Sequence, residues 1–161
     1  MIRHAIRQLV IQTLYQIEVG KTSPQEAIEN IELLVDGLKE DAIELLAEEI
    51  TAKQAEEIEA EFKLDEFYFE LVGGILEHQD TLDELIKDNL EGWSLGRLNK
   101  VDQAIIRLAT YEMIYEKETS YKIIINEALE LTKEFSEVDD KKARGFNNKV
   151  LDRISKAIEN K

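Results

Sequence analysis

Apolar side chains recur along most of this chain at the i, i+3/i+4 spacing of helices that bury one face. Residues 2–18 carry Ile2, Ile6, Leu9, Val10, Leu14 and Ile17 in that register, with Arg3 at the stripe's edge and His4, Arg7, Gln8 and Tyr15 on the opposite side. Gly20 closes this first helix, and Ser23-Pro24-Gln25-Glu26 opens the next as a capping box, with Ser at the N-cap, Pro at N1 and Glu at N3. Its predicted inner face is Ala27, Ile28, Ile31, Leu34 and Val35, ending near Gly37. From Lys39 to Phe62 the pattern stays helical but acidic, with Ile43, Leu46, Ile50, Ile58 and Phe62 inward. Asp65 caps one long helix carrying Phe69, Val72, Leu76, Leu82, Leu85, Ile86 and Leu90, and Gly73-Gly74 inside it reads as close helix packing. Gly92-Trp93-Ser94 breaks the run. Residues 100–116 are apolar nearly all round, which predicts the centre of the core, and residues 122–135 and about 142–159 give two more amphipathic helices.

The total is about seven helices, and composition agrees. One Pro and seven Gly in 161 residues are too few for a turn-rich β protein, so the fold class is all-α. The length fits one domain burying roughly 70% of its extended-chain surface. With no Cys in the chain, disulfides, thiolate nucleophiles, thiolate zinc sites and iron–sulfur clusters are excluded. No apolar run approaches the ~18 residues of a membrane span, and the opening MIRHAIRQLVIQ is too polar for a signal peptide, so a cytoplasmic protein with no membrane partner is expected.

Charge changes the picture. The chain has 20 Lys and Arg against 35 Asp and Glu, a net charge of −15, distributed unevenly. Residues 21–70 hold four Lys against 16 acids, whereas residues 141–161 hold seven Lys and Arg against Asp152 and Glu159. Such a protein repels nucleic acid at long range, yet screening acts over only ~8 Å at physiological salt, so a local basic patch can still hold phosphates. The plainer reading is that these cations merely solvate surface helices. The acidic middle likewise reads either as a solubilising face or as a docking surface for a basic protein.

Catalytic patterns are missing. His4 and His78 are the only histidines, and the residues three positions before them are Met1 and Ile75, which excludes the Glu-x-x-His pairs of di-iron bundles. There is no HExxH, EF-hand loop, GxxxxGK[ST] or GxGxxG, and nothing pairs a Ser with a positioned base. The expectation is a protein that is not an enzyme, with no catalytic residue, metal or cofactor.

Particular residues say more than composition does. Arg3-His4-Ala5-Ile6-Arg7 followed by Gln12-Thr13-Leu14-Tyr15-Gln16 resembles the start of the NusB transcription antitermination proteins. Gly92-Trp93, Arg97-Leu98, Val101-Asp102, Ile106-Arg107-Leu108-Ala109 and Tyr111-Glu112 are similar to that family's central helix. Ile125-Asn126-Glu127-Ala128 with Glu130-Leu131, Lys133 and Phe135 is similar to its next helix, and Phe146, Asn148 and Val150-Leu151-Asp152 to its last. The matches run in family order over residues 1–18 and 66–158. The resemblance implies a single helical domain over 1–161, built as two perpendicular three-helix bundles with subdomains 1–64 and 65–161. It also implies a non-catalytic adaptor that pairs with the ribosomal protein NusE, holds boxA RNA of ribosomal RNA transcripts, and loads the antitermination complex on RNA polymerase.

On that reading Arg3, Arg7 and His4 offer phosphate contacts, and Tyr15 offers a plate on which an unpaired base can stack. Tyr15 reads equally well as half-buried. Lys141, Lys142 and Arg144 precede and open the last helix, whose first backbone N–H groups also attract phosphate, and Lys149 is taken with them. Asp102 is a candidate contact to the basic partner, its other reading being a cap. Phe146 is an interface anchor if exposed and core otherwise. Glu112 and Asn126 are expected to be internal. The chain also departs from the family: its leading Arg cluster is thinned to Arg3 and Arg7, Asn147 stands where Val or Ile is usual, and Lys149 where Gly is usual. The loop at Glu137–Lys142 reads as slightly lengthened, and the acidic stretch 36–64 has no close counterpart. The alternative is a helical protein–protein module with no RNA role, which Arg7→Glu and Lys142→Glu would leave unaffected.

Overall fold

The structure is a computed structural model and describes residues 1–46, 50–136 and 142–160. Among the described residues it has eight α-helices, one 3₁₀ turn and no strand, as the hydrophobic periodicity requires. The chain divides into two compact units, Met1–Glu70 and Leu71–Lys161.

The first unit contains α1 (Arg3–Val19), α2 (Pro24–Leu46), α3 (Ala52–Glu61) and the opening of α4 (Glu66–Glu77). Ile6, Leu9, Val10, Ile11 and Leu14 of α1 are buried, while Ile2 lies outside the helix as its N-cap and is exposed. Ser23 starts α2, its Oγ accepting the Glu26 N–H at 3.2 Å. α2 passes the end expected at Gly37 and runs on to Leu46. One glycine costs a helix about 1 kcal/mol, which the helix-forming run after it outweighs. Leu34, expected inside, is exposed. α3 opens with a reciprocal cap: Thr51 Oγ1 accepts the Gln54 N–H at 3.2 Å, and Gln54 Oε1 accepts the Thr51 N–H at 2.9 Å. No residue of α3 is buried. The unit's interior includes one polar pair. Thr13 donates to the Leu9 carbonyl at 2.7 Å, so its 2.6 Å bond to Tyr68 uses the phenol as donor.

The second unit takes in the rest of α4, then α5 (Gln79–Asp88), a 3₁₀ turn (Leu95–Arg97), α6 (Lys100–Tyr115), α7 (Tyr121–Phe135) and α8 (Lys142–Glu159). The single long helix expected after Asp65 is therefore two, divided at His78, whose backbone lies outside the helical region (φ −104°, ψ 15°). The inner face of α4 also differs by a quarter turn from expectation. Phe67, Tyr68, Leu71, Val72 and Ile75 are buried, and Phe69 is exposed. α6 is the core helix foreseen in its sequence, buried without interruption from Asp102 to Met113. Gly74 lets α4 approach it, since a Cβ there would strike the Tyr111 ring, and Arg107 of α6 grips Asp83 of α5 through paired bonds of 2.7 and 3.0 Å. Glu112 is internal as expected, but Asn126 is exposed.

Candidate nucleic-acid interface

In the first unit the candidate groups lie on α1. The helix begins without a side-chain cap and without an acid of its own in the first turn, so its positive dipole end is not offset by a carboxylate of that turn. Arg3 is exposed there, its guanidinium carbon 4.3 Å from the centre of the Phe67 ring. That stacking orients the charge while leaving its outer edge to solvent. Arg7 corrects the helical-wheel expectation. It is only 4% exposed, with its guanidinium 5.5 Å from the same ring, because α4 brings Phe67 against the side of α1 that the wheel treats as solvent. His4 is half-buried, and Tyr15, exposed at 41%, stands three turns further along, about 16 Å from His4.

In the second unit the groups lie on α8 and the segment before α6. Asn147, Val150, Leu151 and Ile154 occupy the buried face of α8. Lys142, Phe146, Lys149 and Arg153 share the opposite face, falling within about 60° of one another at 100° per residue. Lys142 and Lys149 are exposed, and Lys149 has no ion-pair partner among the described residues. Arg153 is held by Glu91 at 3.0 Å. Arg144 lies off this stripe and is half-buried, while Lys141 is outside the described residues. Phe146 is half-buried with its ring edge-on to Trp93, 5.7 Å between centres, and Arg97 stands 5.9 Å over the indole. Trp93 and Arg97 enter the sequence reading only through the family resemblance and not as candidate contacts. A large aromatic among polar loop residues was the available signal.

Asp102, the candidate partner contact, is largely buried. It is 7% exposed, its backbone N–H is capped by Asn99 Oδ1 at 2.7 Å, and its Oδ1 accepts from Asn147 Nδ2 at 3.2 Å. Asn147 also donates to Thr132 Oγ1 at 3.0 Å, so this polar knot ties α6, α7 and α8 together.

A sequence model of the NusB family matches residues 4–156. This chain belongs to the NusB family. Transcription antitermination protein NusB of Bacillus subtilis (strain 168) is 39% identical over 159 residues, which are 99% of this chain and 98% of that protein. Among solved structures, T. maritima NusB has a TM-score of 0.68 at 30% identity, covering 97% of this chain and 92% of its own. A chain in the crystal structure of antitermination factors NusB and NusE with double-stranded RNA shares the fold, with a TM-score of 0.67 at 24% identity. The family likeness thus spans the acidic middle as well as the two basic ends.

Proposed function

We infer that this chain is a non-catalytic transcription antitermination adaptor, acting in the cytoplasm, that pairs with the ribosomal protein NusE and binds boxA-type RNA of ribosomal RNA transcripts. Membership of the NusB family over nearly the whole chain supports the role, as does the complex of a NusB with NusE and RNA. The observation that carries the RNA part is the stripe of Lys142, Phe146 and Lys149 on α8, with Trp93 and Arg97 beside it. Lysines along such a stripe neutralise successive phosphates, and the two rings give an unpaired base a surface to stack on, worth about 1–3 kcal/mol per base. On α1, Arg3 and His4 at an uncapped helix start, with Tyr15 further on, supply a second set of contacts.

The small cationic area and the net charge of −15 imply weak RNA binding by this protein alone, and tighter binding once a basic NusE offsets the repulsion. Titrating boxA RNA with and without NusE over a salt series measures this. A salt-sensitive affinity that rises with NusE is expected, and equal affinities in both cases would reject the cooperative adaptor.

A further inference from the structure

The apolar stripe of α2 is longer than the surface that covers it. Ala27, Ile31 and Val35 are buried, and the same face continues through Leu34, Leu38 and Leu45. Those three are exposed, Leu38 to 46% and Leu45 to 85%. A difference in length accounts for Leu45. α1 and α2 pair across a four-residue connection, which makes them antiparallel neighbours. With 17 residues in α1 and 23 in α2, the last six residues of α2 overhang by about 9 Å at 1.5 Å per residue, which leaves Leu45 beyond the end of α1, while Leu34 and Leu38 lie alongside α1 and are still exposed. α3 does not fill the gap. It meets α2 on the adjoining flank, where Lys39 Nζ stands 3.8 Å from Glu59, a position about 100° round the helix from Leu38.

The surroundings of these leucines are strongly acidic. Residues 36–61 hold ten Asp and Glu against Lys39 and Lys53. Asp41 lies at the edge of the stripe, with Glu44 on the flank beyond it about 100° round the helix from Leu45, and both are exposed.

We propose that this exposed leucine face is a docking surface for a basic amphipathic helix of another protein. The charge selects that occupant. A second copy of the chain would bring two acidic surfaces together, and an anionic membrane or nucleic acid is repelled by the same field. A helix with apolar residues at i, i+4 and i+7 flanked by Lys and Arg buries the leucines and neutralises the acids together.

The test uses the full chain and a fluorescently labelled synthetic peptide of about five helical turns, made of Leu and Lys with the leucines on one face. Two controls accompany it: the same composition scrambled so that leucines surround the helix, and a version with Glu in place of Lys. Leu38→Gln with Leu45→Gln removes the apolar area without adding charge, and Leu38→Ala with Leu45→Ala does so without adding a polar group. Both pairs are expected to weaken the amphipathic peptide about tenfold or more, with circular dichroism, thermal midpoint and RNA affinity unchanged. The scrambled peptide should bind comparably more weakly, and the Glu version not at all. Undiminished binding by the variants, or equal binding of the scrambled peptide, overturns the proposal. So does a concentration-dependent dimer that disappears in the same variants, which would assign the face to a second copy.

Discussion

Gly73 and Gly74 are neighbours with opposite packing obligations. A Cβ on Gly74 meets the Tyr111 ring, whereas one on Gly73 meets nothing within 4 Å. Gly74→Ala is expected to cost about 1–3 kcal/mol by overpacking, and Gly73→Ala to add about 0.5–1 kcal/mol because Ala suits a helix interior better. Opposite shifts in urea midpoint check the pair. Tyr68 makes a second test. Burial lifts its phenol above the ordinary value of 10.0; Thr13, whose hydroxyl would turn to donate to a phenolate, pulls the other way, and the Glu32 charge adds to the rise. Above pH ~10 the unfolded chain therefore releases a proton that the folded chain keeps, and this group's stabilisation declines until its folded value is passed. Tyr68→Phe should cost about 1 kcal/mol at neutral pH through the lost bond to Thr13, then converge on the wild type in alkali, as unfolding free energies across that range will record. At this scale the sequence was least legible. Arg7 and Asp102 read as exposed charges because the groups that enclose them, Phe67 and Asn147, come from positions 60 and 45 residues away.

Helices were legible as elements, and their ends were not. The acid-rich run after Gly37 reads as helical, and its described residues belong to two helices, the second opening at Thr51, whose cap with Gln54 is a local signal the hydrophobic pattern ignores. The same blindness to local backbone hid the break at His78. α3 and α6 stand at the extremes of burial, none of the former's residues and twelve consecutive residues of the latter being inside. Amide hydrogen exchange should therefore be fastest in α3 and slowest in α6, because opening α3 exposes almost no new apolar surface. Protection of α3 to the level of α6 would contradict this.

Across the whole chain, the arrangement of charge was readable from composition by segment, with basic ends and an acidic middle. What composition could not supply is which cations share a face. The stripe on α8 emerges only once the buried side of that helix is fixed by Asn147, Val150, Leu151 and Ile154. Lys149→Glu removes one exposed cation from it, so RNA affinity should fall and the slope of log affinity against log salt should lessen by about 1, with the thermal midpoint unchanged. Trp93 is the chain's single tryptophan, half-exposed, with Phe146 at its edge and Arg97 above it. The molecule consequently carries its own optical gauge. A nucleobase laid on that indole would quench its emission, so occupancy can be followed with unlabelled RNA and without altering either participant.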